Sequence, residues 1–184
     1  EIIPQVVAVV VEKRPKDARP IKRPTKCPVC KGEVEKDEGG VYIRCINPSC
    51  PAQLKERLIH FAGRNQMDIE GAGQVLVETL VDQGFLGDYA DFYRLHERRD
   101  ELIALERMGE KSVDNLLDGI ERSKRQPLSR LLAALNIRHV GASTAELLAE
   151  HFGSMEKLIR AGEDELTEVE GVGPELAASI VHFF

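Results

Sequence analysis

The rhythm of hydrophobic and polar positions changes twice along this chain. Gln5 to Val11 (QVVAVVV) is a β-branched run that predicts a buried strand, and the basic, proline-containing stretch from Lys13 to Lys26 reads as a linker. Such a strand needs partners that the rest of the chain does not supply, so the chain is expected to begin inside a β domain. Lys26 to Pro51 holds all four cysteines. From Pro51 onward apolar residues recur at helical spacing in many short amphipathic segments, which predicts a mainly α fold.

A short phrase recurs within this helical region: a hydrophobic residue, one or two glycines, then a new helix. It occurs as Ile69-Glu70-Gly71-Ala72-Gly73, Leu105-Glu106-Arg107-Met108-Gly109, Ile137-Arg138-His139-Val140-Gly141 and Val169-Glu170-Gly171-Val172-Gly173. The last glycines are 36, 32 and 32 residues apart, a period expected of stacked repeats in which each unit is helix, hairpin, helix.

Composition narrows the function classes. With 184 residues, 42% of them hydrophobic, the chain has material for one or two globular domains. No apolar run approaches the roughly 20 residues of a membrane span, and Glu1-Ile2-Ile3-Pro4 lacks the basic start of a secretory signal, so a cytoplasmic protein is expected. The net charge of −6 is unevenly placed: residues 1–66 carry 13 Lys plus Arg against 8 Asp plus Glu, and residues 67–184 carry 12 against 23. A rear half at −11 cannot hold a polyanion by a broad field; any grip there needs backbone amides and a few placed cations.

Cys27 and Cys30 form a CxxC pair, and Cys45 and Cys50 form a second pair, with fourteen residues between Cys30 and Cys45. Four thiolates close a tetrahedron around zinc and leave no open position, which makes the expected site structural. Free thiols and an iron–sulfur centre are the competing accounts, and ribbon-like pairing favours zinc. Gly39-Gly40 offers the turn of a small hairpin between Glu33 to Lys36 and Val41 to Arg44. His60, His96, His139, His151 and His182 are scattered without ligand spacing and read as surface or hairpin residues.

A turn ending in glycine lets the next helix present its unpaired N-terminal amides, and the missing side chain admits a phosphate to them. The candidate DNA contacts are therefore Gly71, Gly73, Gly109, Gly141, Gly171 and Gly173, with Lys111 and Ser112 behind Gly109 and Arg138 inside the third hairpin. Glycine is also common in turns that only connect helices, so a single copy can serve packing alone. Arg107 and His139 replace the first glycine in copies two and three, and Pro174 removes one amide from copy four. A dinucleotide-binding loop fails on context, because Leu76 and Leu176 stand where its third glycine belongs and no strand precedes either loop.

Taken together, Ile2-Ile3-Pro4-Gln5-Val6-Val7, Cys27-Pro28-Val29-Cys30, Cys45, Cys50-Pro51-Ala52-Gln53, Met67-Asp68-Ile69-Glu70-Gly71, Gly109-Glu110-Lys111-Ser112, Ile137-Arg138-His139-Val140-Gly141 and Gly171-Val172-Gly173 resemble the zinc-finger and helix-hairpin-helix region of bacterial NAD-dependent DNA ligases. The resemblance spans nearly the whole chain. It implies a remnant strand of an oligonucleotide-binding (OB) barrel and the basic linker in residues 1–24, a four-cysteine zinc finger in 25–52, and a helix-hairpin-helix domain of four repeats in 53–184. It further implies a parent that adenylates a lysine from NAD, uses Mg(2+) and seals nicks in replication and repair, with this segment gripping duplex or nicked DNA across the minor groove. The family's KxDG nucleophile motif is absent, the nearest string being Lys36-Asp37-Glu38-Gly39; the full barrel and the BRCT domain are absent too. The segment, with no catalytic residue of its own, is expected to be inactive without the parent's other domains, which are its expected protein partners; no membrane partner is expected. An architectural or protein-interaction module of another DNA-repair protein is the alternative.

Overall fold

A computed structural model describes residues 5, 7–36, 41–47 and 50–184. The chain forms two compact units, Glu1–Asn47 and Pro48–Phe184.

In the first unit the described residues of Gln5–Val11 do not form the expected strand. Val7, Val9 and Val10 are exposed without regular structure, and a single 3₁₀ turn spans Val11–Lys13. The physical reason is the one that made the strand conspicuous: an isolated β run has no ladder to satisfy its amides and no sheet face to bury its valines. Ile2 to Pro4 and Val6, which carried some of the resemblance to a barrel end, lie outside the described residues. Strands β1 (Val34–Lys36) and β2 (Ile43–Cys45) pair antiparallel in the register Val34 to Cys45, Glu35 to Arg44 and Lys36 to Ile43. The hairpin is therefore present, with its strands shorter than expected; Gly39-Gly40 and most of the Lys36-Asp37-Glu38-Gly39 string lie outside the described residues. Among the described residues of the cysteine segment, Cys27 and Cys50 are the buried apolar ones, whereas Val29, Tyr42 and Ile46 are more than half exposed. Apolar burial does not hold this segment together.

The second unit is helical, and its helices follow one order twice. The first set runs α1 (Pro51–Ala62), a turn, α2 (Gln74–Asp82), a 3₁₀ segment (Ala90–Arg98), α3 (Arg99–Ile103), a turn, and α4 (Glu110–Ser123). The second runs α5 (Leu128–Ala134), a turn, α6 (Ala142–Phe152), α7 (Met155–Arg160), α8 (Glu163–Thr167), a turn, and α9 (Pro174–Phe183). Each set has its own core, with Ala134 of α5 packing into the first. Leu58, Phe61, Leu80, Phe92 and Leu116 anchor the first; Leu132, Leu148, Leu158, Leu166 and Ile180 anchor the second. The sets are joined by His60 Nε2 at 3.1 Å from the Ala133 carbonyl and by the Tyr89 hydroxyl donating to the Leu135 carbonyl at 3.3 Å. His60 is thus a half-buried tie between helices and not the surface residue its spacing suggested. Among the described residues no helix is long and apolar enough to cross a membrane.

The turns before α2, α4, α6 and α9 share a backbone feature. Gly71, Arg107, His139 and Gly171, each two residues ahead of the helix-capping glycine, all adopt left-handed φ values of 90°, 64°, 67° and 87°. The turns before α2 and α6 add a second left-handed residue, Asp68 or Asn136, which the other two lack. Repeats that look equivalent in sequence are therefore of two alternating kinds, one of each per core. A left-handed conformation costs a residue with a Cβ about 1–2 kcal/mol. Gly171→Ala is expected to lose about 1 kcal/mol, and Gly71→Ala about 2 kcal/mol because its Cβ would also press to 3.3 Å of the Leu116 Cα. Arg107→Gly and His139→Gly, which relieve the same strain, are expected to leave stability unchanged or slightly raised; chemical denaturation showing equal losses at all four positions would refute a shared turn geometry.

Candidate metal centre and nucleic-acid interface

The metal centre begins with a knuckle. The Lys31 N–H donates to the Cys27 carbonyl at 3.0 Å and the Cys27 N–H to the Gly32 carbonyl at 2.8 Å, a turn closed with Lys31 in the left-handed region at φ 60°. Cys45 ends β2, and Cys50 stands immediately before α1, where Pro51 takes the favoured first helical position. No disulfide joins the four cysteines, and their sulfurs lie within 4.8 Å of one another, with Cys30 and Cys45 at 3.5 Å. A zinc–sulfur bond of about 2.3 Å places tetrahedral ligands about 3.8 Å apart, so the set has the right size for one ion. It offers four soft donors and no water site, and so would hold zinc structurally without activating water.

The sulfurs are unevenly charged. The Asn47 side chain and the Gly32 N–H, with the neighbouring thiols, hold Cys30 down to about 6. The Asn47 N–H lowers Cys45 as well, but burial and the thiols of Cys30 and Cys27 outweigh it and push Cys45 up to about 12. Backbone N–H groups of Cys30 and Val29 lower Cys27. One thiolate forms readily, and its charge opposes the next; a cation removes that conflict.

The sequence-predicted contact residues Gly71, Gly73, Gly109, Lys111, Ser112, Arg138, Gly141, Gly171 and Gly173 are all exposed. Gly73, Gly109, Gly141 and Gly173 cap α2, α4, α6 and α9 with φ of −69°, −93°, −92° and −84°, values open to any residue. A Cβ at any of the four would meet no atom within 4 Å. Lys111 and Ser112 sit in the first turn of α4, but the Ser112 amide already donates to the Gly109 carbonyl at 2.9 Å, leaving only its hydroxyl for a ligand. The nine residues are distributed over four separate turns, two in each set.

Other residues escape a reading by spacing. Arg64, Arg122 and Gln126 line an open cavity of about 720 Å³ with Gly71, Gly73 and Gln74, although Arg64 precedes the first turn and Arg122 lies at the end of α4. Arg122 pairs with Glu70 of that turn at 2.5 Å. Gly119, inside α4, lies under the same turn: a Cβ there would collide with the Glu70 carbonyl oxygen. Nothing in the sequence links positions 70 and 119. The left-handed Arg107 and His139 did leave a signal, since both stand where copies one and four have glycine.

These features define a module with a four-thiolate zinc-type ribbon and glycine-capped helix-hairpin-helix turns. Residues 26–52 match the NAD-dependent DNA ligase C4 zinc finger domain, and residues 130–184 match the helix-hairpin-helix motif. Over all 184 residues the chain is 55% identical to a DNA ligase of Symbiobacterium thermophilum, 50% to one of Halalkalibacterium halodurans and 48% to one of Brevibacillus brevis. The zinc-finger match and the identity over the full chain support an NAD-dependent DNA ligase fragment; the chain spans 27% of the length of these relatives.

Proposed function

We propose that this segment grips the backbone of duplex or nicked DNA without sequence preference, on behalf of a ligase that uses NAD and Mg(2+) to seal nicks in replication and repair in the bacterial cytoplasm. The observation that carries this reading is the set of four capping glycines. Neither φ nor internal packing asks for glycine there, and Ser or Asp would cap those helices as well or better. What glycine leaves is open space in front of amides that have no intrahelical partner, the geometry a phosphate oxygen uses. The turns then act as four helix-hairpin-helix repeats in a domain over 53–184, after a zinc finger over 25–52 and a barrel remnant with its basic linker over 1–24. Gly71 and Gly171 shape their turns, and Lys111, Ser112 and Arg138 add side-chain contacts. The zinc holds the finger's fold, and sealing requires the parent's other domains.

The same steric freedom supplies the test. Gly109→Asp and Gly141→Asp preserve or improve helix capping while placing a carboxylate where a phosphate would sit. Each is expected to keep the melting temperature within a few degrees and to weaken binding to nicked duplex roughly tenfold or more at low salt, measured by fluorescence anisotropy. Lys111→Glu is expected to weaken binding similarly and to reduce the slope of log affinity against log salt by about 1 or more. The −11 charge of residues 67–184 favours a second reading, a protein-interaction module. Unaltered binding in all three variants, or no binding by the wild type, would support it.

A further inference from the structure

We propose that Asn47 is a positioning residue of the metal centre, its side-chain amide holding Cys30 Sγ and its backbone N–H holding Cys45 Sγ in ligating orientation. The inference rests on the zinc reading of the four cysteines and goes beyond the ligand set. Asn47 stands two residues after Cys45, and both of its nitrogen donors are engaged with ligand sulfurs: the side-chain amide with Cys30 and the backbone N–H with Cys45. One residue thus ties the first thiol pair to the second. These two sulfurs are also in contact with each other at 3.5 Å.

The local packing is built around this arrangement. Gly32 donates its N–H to Cys30 Sγ at 3.4 Å, and a Cβ on Gly32 would lie 3.2 Å from both Cys30 Sγ and Asn47 Cβ, and 3.6 Å from Asn47 Nδ2. Glycine at 32 therefore leaves the room in which the asparagine reaches the sulfur. Cys30 and Cys45 are the half-buried pair of the four thiols, the two that solvent and competing ligands can approach. An N–H group donating to a thiolate delocalises its charge, lowers its nucleophilicity and fixes the direction of its lone pairs. Partners of this kind around metal ligands typically contribute 10- to 100-fold in metal affinity.

The test uses the 184-residue chain loaded with zinc, and in parallel with cobalt(II). Asn47→Asp keeps the shape and the backbone N–H but exchanges the side-chain donor for a carboxylate facing a thiolate; Asn47→Ala removes the donor alone. Both are expected to release zinc to a chromogenic chelator roughly 10- to 100-fold faster than wild type. The thiolate-to-cobalt charge-transfer band is expected to move to longer wavelength, because sulfur lone pairs without an N–H partner lie higher in energy. A role confined to the turn would change the release rate without moving that band. Wild-type release by Asn47→Asp, or an unmoved band in both variants, would overturn the proposal while leaving the zinc site standing. A wild-type chain that takes up no zinc would overturn both.

Discussion

Replacing Cys50 by serine is expected to abolish tight zinc binding and, with it, the fold of residues 26–47, while the helices of 51–184 persist. The asymmetry follows from where each segment buries apolar surface. The helical unit has two cores anchored by fully buried leucines and phenylalanines. Among its described residues the cysteine segment buries little beyond Cys27 and Cys50 and has a three-pair β ladder. Metal binding in such segments contributes an apparent value of roughly 10–16 kcal/mol at neutral pH, far more than three ladder pairs provide. Chelation of the wild type is expected to act as the substitution does. Amide hydrogen exchange should show residues 26–47 losing protection while the cores of 51–184 keep theirs; protection surviving metal removal would refute this account. Zinc binding should also weaken as pH falls. The metal needs thiolates, Cys45 is held up to about 12 and Cys30 down to about 6, so uptake releases protons and acid opposes it.

Gly119→Ala is expected to destabilise the helical unit by about 2–3 kcal/mol, although alanine in a helix interior is intrinsically favoured over glycine by about 1 kcal/mol. The new methyl would collide with the Glu70 carbonyl oxygen and stand 3.0 Å from its nitrogen and 3.2 Å from its carbonyl carbon. These are backbone atoms of the first turn and cannot swing aside like a side-chain end. Either α4 separates from the turn or the turn distorts. The exposed Arg122–Glu70 pair beside the contact contributes too little to hold them together. Urea unfolding gives the stability loss, and a Gly119→Ala protein as stable as wild type would show that the close approach is not obligatory. Because the same turn carries Gly71 and Gly73, the proposed DNA binding is expected to fall with it.

The features legible in the sequence are those whose cause is local. Two close cysteine pairs at ribbon spacing are enough to indicate that their four sulfurs converge, since a knuckle and a hairpin bring them to one place. A glycine-ended turn followed by helical periodicity marks the start of α2, α4, α6 and α9 without knowledge of any neighbour. The β-branched run at Gln5 to Val11 misled because strand propensity describes what a segment suits, and a strand exists only when something pairs with it. Tertiary structure alone decided that the four similar turns sort into two sets with separate cores, that Gly119 is the floor under Glu70, and that Asn47 reaches back to Cys30. Each of these depends on groups brought together across the chain, by burial of apolar faces in the helical unit or by closure of the cysteine hairpin. Spacing along the sequence records the period of such faces but not which face meets which.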